Sequence, residues 1–157
     1  MDLSGDELLK LDNEVGFALY ACSKGLIRKY NPVLEGLGLT YTSYLVMLAL
    51  WERDGISVSE LGKKLYLDSG TLTPLLKKME KQGLLQRRRD ETDERVVLIL
   101  LTPKGRALQA KTERTVSALG KTLRLLRESS LFTDLKRLLD ELYELWPPRP
   151  FAGGGQT

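Results

Sequence analysis

Three lysines, Lys77, Lys78 and Lys81, follow a run of small and polar residues, Ser69-Gly70-Thr71-Leu72-Thr73-Pro74, and an arginine triplet, Arg87-Arg88-Arg89, lies just beyond them. Ammonium and guanidinium groups set out like this suit phosphate, which they neutralise without any covalent step. The short side chains ahead of them suit close approach to base edges, and threonine methyls can touch thymine methyls. The basic character is local. Over residues 60–89 there are eight Lys/Arg against three acids, a net +5, which leaves −2 for the rest of a chain whose total is +3. Charge alone fits a solvated helix face and a basic turn equally well, so the elements that carry these residues have to decide.

Other chemistries are poorly supplied. The chain has no histidine and a single cysteine, Cys22. A Ser–His–Asp or Cys–His arrangement cannot be assembled, and the common nitrogen and sulfur metal sites lose their ligands, so no cofactor is expected. Gly153-Gly154-Gly155 follows no strand and opens no helix, which makes it a flexible end rather than a phosphate loop. One cysteine fits a reducing cytoplasm. The longest apolar run, residues 45–51, is too short for a membrane span, and no signal peptide is expected. With 157 residues and 42% hydrophobic content, one domain over 1–157 is the expectation.

Periodicity supplies the elements. Ser4-Gly-Asp-Glu7 reads as a capping box opening a long helix to about residue 29, ended by Tyr30-Asn31-Pro32 and followed by a short helix over about 33–37. Thr40 caps a third helix, with Tyr44, Leu45, Leu48 and Trp51 on its inward face, closing at Asp54-Gly55. Ser57-Val-Ser-Glu60 is a second capping box, opening a helix through Leu65 that packs Val58, Leu61 and Leu65 inward. After a connection over residues 66–70, Leu72, Leu75, Leu76 and Met79 recur at helical spacing, so two helices meet at a sharp angle as a helix-turn-helix. Residues 84–89 and 96–101 predict two strands joined by the acidic turn Asp90-Glu-Thr-Asp-Glu94. Thr102-Pro103 then starts a long helix towards Arg127, and a last helix over 132–146 ends at Pro147-Pro148-Arg-Pro150. The fold class is mainly α with a small β-wing: a winged helix-turn-helix over about 40–102, flanked by terminal helices over about 5–37 and 103–146, with a disordered tail over 147–157.

With SGTLTPLLKKMEKQGLL, then RRRDETDER, then a strand ending LILLT, the chain resembles the MarR family of bacterial transcription regulators across nearly all of residues 7–146. The resemblance implies a DNA-binding regulator, most often a repressor, and a wing whose signature is Asp93-x-Arg95 before an apolar strand. On the residues themselves, Ser69, Thr71, Thr73, Pro74, Lys77, Lys78 and Lys81 project outward from the second helix of the pair. Arg87, Arg88 and Arg89 lie on the first wing strand. Arg95 lies just past the tip, where a guanidinium could enter the minor groove, oriented by a bidentate pair with Asp93. Alternatives are an ordinary solvated hairpin or a winged helix that binds protein. The apolar faces of the first helix (Leu8, Leu11, Val15, Ala18, Leu19, Cys22, Leu26) and the last exceed what a wing-sized domain needs, and the resemblance implies that they intertwine in a homodimer on a palindromic operator of double-stranded DNA.

Residues NEVGFALYACSKGLIRKYNPVLEGLGLTYTSYLVMLALWE resemble the organic-peroxide-sensing OhrR branch of that family in particular, which implies an oxidant or small molecule as effector. In that branch a cysteine early in the first helix is oxidised, with tyrosines hydrogen-bonding its thiolate. Tyr30 and Tyr41 fall on those tyrosine positions and Tyr20 matches another nearby, whereas the cysteine position is Gly16. Cys22 lies about 240° further round the helix. Its helical neighbours Ala18, Leu19 and Leu26 predict an apolar, buried setting and a slow thiol. A thiol-dependent, peroxide-reactive enzyme is the remaining, disfavoured reading.

Overall fold

The computed structural model describes residues 5–145. The Ser4 cap, Trp146, the proline-rich stop and the tail expected from the sequence lie outside them. The order is α1 (Gly5–Leu8), a 3-10 turn (Leu11–Asn13), α2 (Val15–Glu35), α3 (Tyr41–Glu52), β1 (Ile56–Ser57), α4 (Val58–Leu65), α5 (Ser69–Lys81), β2 (Leu85–Arg89), β3 (Val97–Leu101), α6 (Pro103–Val116), a 3-10 turn (Ser117–Leu119), α7 (Gly120–Glu128) and α8 (Ser130–Leu145). This is the mainly α winged helix-turn-helix expected. Among the described residues no helix is long and apolar enough to cross a membrane.

The middle of the chain folds for the reasons its residues give. Thr40 and Ser43 exchange the two bonds of a capping box at the start of α3, and Ser57 and Glu60 do the same for α4. Thr102 accepts the Gly105 N–H while Pro103 takes the first helical position, so α6 begins where its cap dictates. Leu34, Val46, Met47, Leu50, Leu61, Leu72, Leu76, Met79, Leu85 and Ile99 are fully buried, and the core sits where α2 to α5 meet the sheet.

Several boundaries differ. The long first helix is two: Glu14 caps α2 by accepting the Gly16 N–H, and the Asn13 side-chain amide ties the preceding turn back to the Glu7 carbonyl. Pro32 does not end α2, and no separate helix covers 33–37. The burial of Tyr30 and Leu34, on either side of the proline, outweighs the single helical bond that Pro32 withholds. On α3 the deepest residues are Val46, Met47 and Leu50, while Tyr44, Leu48 and Trp51 border a cleft towards α6. The connection between α4 and α5 is shorter than expected, because Asp68 caps α5 and Ser69-Gly70 already belong to its first turn. The wing has a third strand: Ile56 and Ser57 pair antiparallel with Ile99 and Leu98, giving the order β1-β3-β2. The expected helix to Arg127 is interrupted at residues 117–119. There the Thr115 and Ser117 hydroxyls donate to the Lys111 and Arg114 carbonyls, loosening the ladder just before Gly120.

Candidate nucleic-acid interface

Tyr66 closes α4 in the left-handed conformation, φ 56°, and donates its N–H to the Gly62 and Lys63 carbonyls. That turn brings Asp68 to the head of α5, where its carboxylate accepts the Thr71 N–H at 2.9 Å and the Thr71 hydroxyl at 3.1 Å. These bonds hold the Asp68 carboxyl below its ordinary pKa, the backbone one most strongly. With Leu72, Leu76 and Met79 buried, Thr71, Pro74, Lys77, Lys78 and Lys81 are exposed on α5, while Ser69, Thr73 and Leu75 are partly covered. Pro74 lies in the second turn and withholds the N–H that would bond the Gly70 carbonyl.

β2 packs against α5 and continues the basic surface. Arg88 and Arg89 are exposed, and Arg89 donates to the Glu94 carbonyl at 3.1 Å, closing the hairpin. Asp90 organises the tip: one carboxylate oxygen accepts the Thr92 and Asp93 N–H groups and the Thr92 hydroxyl. These bonds lower its pKa, the Thr92 hydroxyl contributing most. The bidentate Asp93–Arg95 pair expected from the sequence does not form. One Asp93 oxygen is taken by the Arg95 backbone N–H at 3.0 Å, and the guanidinium Nε stands 3.7 Å from that same oxygen, leaving the Arg95 side chain 91% exposed. Arg87 is held differently. Its backbone N–H and its Nε donate to the two carboxylate oxygens of Glu80, at 2.8 and 2.9 Å.

The residues expected from the sequence to form a sensor fall into two groups. Tyr30 and Tyr41 meet edge-on, ring centroids 5.1 Å apart, with Tyr44 at 5.8 and 6.3 Å from them. Burial, and then its neighbours Tyr44 and Tyr41, push the Tyr30 phenol up to about 12, so it remains a hydrogen-bond donor at neutral pH. Gly16 and Tyr20 are elsewhere, exposed on the first turns of α2, and Lys24 donates to the Tyr20 hydroxyl at 3.0 Å. Gly16 and Tyr30 lie on one helix with about 21 Å between them, so a single chain does not bring them together. Cys22 corrects the sequence reading: it is exposed, although its helical neighbours Leu19 and Leu26 are half-buried.

Sequence reasoning missed three contributors. Glu80, on its spacing one more charge on α5, accepts both Arg87 donors. Tyr44 completes the aromatic trio and lines the cleft of about 480 Å³ between α3 and α6. Asp54, seen only as part of an Asp-Gly turn, accepts from the Gly55 and Leu101 N–H groups and from the Arg106 guanidinium, tying the end of α3 to β3 and α6.

A family model described as transcriptional regulator SarA/Rot matches residues 28–112. The organic hydroperoxide resistance transcriptional regulator of Bacillus subtilis is 47% identical over 137 residues, covering 87% of this chain and 90% of that protein. The HTH-type transcriptional regulator TtmR of Methylorubrum extorquens is 46% identical over 142 residues, covering 88% and 72%. Among solved structures, overoxidized AbfR bound to DNA matches with a TM-score of 0.77 at 30% identity, over 90% of this chain and 98% of that one. With more than half of its length inside that family model and nearly half of its aligned residues shared with a curated regulator, the chain belongs to the SarA/Rot family of transcriptional regulators, built on a MarR-like winged helix.

Proposed function

We propose that the chain acts as a homodimer that binds a palindromic operator in double-stranded DNA and represses transcription from it. The observation that carries this reading is the pairing of α5 with the wing. Lys77, Lys78 and Lys81 are exposed on a helix that opens with small polar residues, and exposed Arg88, Arg89 and Arg95 stand on the hairpin packed beside it. Such a helix fits the major groove and such an arginine the minor groove. The family is one of regulators rather than enzymes, and AbfR has been solved bound to DNA. Dimerisation is supported by apolar residues that the single chain leaves uncovered, Val15 and Phe17 on α2 and Leu131, Phe132 and Leu135 on α8. Sedimentation with duplexes selected from genomic fragments tests both parts. Two chains per duplex on an inverted repeat are expected; one chain per duplex, or no selection, contradicts the reading.

We further propose a small molecule as effector, acting at the tyrosine trio; an oxidant would need a thiol at residue 16, where this chain has glycine. Supporting this are the donor phenols beside an apolar recess of about 400 Å³ lined in part by Leu26, Tyr30 and Leu126. A second chain would be needed to bring residue 16 near them. A thiolate there would take the terminal oxygen of an organic hydroperoxide, becoming a sulfenic acid and releasing the alcohol. Gly16 admits a side chain if the Glu14 carboxylate shifts, since a Cβ would stand 2.9 Å from the Oε1 that caps the Gly16 N–H. Cys22 lies about 12 Å along α2 from Tyr30, beyond reach of the phenols of its own chain. Wild type should therefore stay on DNA in organic hydroperoxide, whereas Gly16→Cys should release it. Release by wild type that Cys22→Ser abolishes would make Cys22 the sensor.

A further inference from the structure

Arg87 differs from Arg89 and Arg95 in that its guanidinium is held by a carboxylate of α5 rather than by the hairpin itself. Its side chain is 30% exposed, against 91% for Arg95, and it shares both oxygens of Glu80, a carboxylate from the last turn of α5. The geometry has a reason. β2 is an edge strand, paired with β3 on one side only, so the Arg87 N–H that points away from β3 needs an acceptor. Glu80 supplies it with one oxygen and holds the guanidinium with the other. The bonds from Arg87, backbone first and side chain second, keep the Glu80 carboxyl below its ordinary pKa. An acid between Lys78 and Lys81 works against a polyanion, so its presence there calls for a compensating task.

We propose that Glu80 is a positioning residue for DNA recognition: through Arg87 it locks the wing at a fixed height on the recognition helix, and Arg87 is part of that clamp rather than a phosphate contact. This rests on the DNA-binding reading above. A duplex offers its major groove and the neighbouring minor groove at a fixed separation, so Arg95 and the α5 side chains engage one site together only if the hairpin does not swing. Random duplex asks less of that geometry, because its binding is dominated by phosphate charge.

The test compares operator duplex with random duplex, by fluorescence anisotropy at one salt concentration, for wild type, Glu80→Gln and Arg87→Lys. Glu80→Gln removes a negative charge, so simple electrostatics predicts tighter binding to both duplexes. The clamp predicts the reverse for the operator: about tenfold weaker binding, as expected for loss of a charge-assisted pair, with random-duplex affinity unchanged or higher. Arg87→Lys, which keeps the charge but loses the Nε donor, should show the same fall in the operator-to-random ratio. A Glu80→Gln variant that binds the operator as tightly as wild type or more so overturns the clamp while leaving DNA binding intact. Equal losses on both duplexes, with a lowered melting temperature, would reduce Glu80 to a stability role and also overturn it. A wild type that binds neither duplex would remove the DNA reading itself.

Discussion

Replacing Gly105 by alanine should destabilise the fold by about 3 kcal/mol, the upper end of what overpacking usually does. A Cβ at this position would stand 2.0 Å from the Leu84 carbonyl oxygen and 3.2 Å from a Leu101 methyl. Neither side can yield cheaply. The Leu84 carbonyl is fixed by the Thr102 N–H and hydroxyl, at 3.2 and 3.1 Å, and the same hydroxyl accepts the Gly105 N–H to cap α6. From the other side, Trp51 donates its indole N–H to the Gly105 carbonyl at 3.0 Å. Gly105 is thus where α3, the base of the wing and α6 come into contact, and a methyl group there must break a cap or a strand end. Urea unfolding measures it: the midpoint should fall with little change in slope. A loss below about 1 kcal/mol would mean that α6 slides on the sheet at little energetic expense, and that this junction is softer than its hydrogen bonds imply.

How much of this was legible beforehand depended on whether a feature was local. Caps at Thr40, Ser57 and Thr102 are written within four residues, and all three form as read. The inward residues of α5 were readable from their spacing, which persists because helix periodicity and burial agree there. What failed was set by distant packing. Pro32 reads locally as a stop, but the burial of its neighbours carries α2 past it. The two residues of β1 have no strand pattern of their own, and they pair because β3 lies alongside. Cys22 sits on a stripe that looks like core in sequence and is exposed in the single chain, since a helical wheel does not say which molecule covers a face. At the interface, the exposed lysines of α5 followed from the phase of the helix. The Glu80–Arg87 clamp did not, because it depends on which edge of the hairpin meets the helix.

The lysines of α5 carry the second strong expectation. Lys77 and Lys78 are exposed, with no acidic partner for either among the described residues, and they lie between the small N-terminal residues and the wing. On DNA each should displace a condensed counterion, so replacing both by alanine in both chains of a dimer removes up to four phosphate contacts and flattens the dependence of log K on log salt by about 3–4 units. Affinity should fall on every duplex alike, since phosphate contacts carry no sequence information. The deciding measurement is therefore that salt slope, taken by titrating one duplex across a series of ionic strengths with wild type and with the Lys77→Ala/Lys78→Ala variant. A steep wild-type slope that the double substitution flattens by about that amount is the outcome expected of a recognition helix seated in the groove; identical slopes for the two proteins would take α5 out of the interface and contradict it.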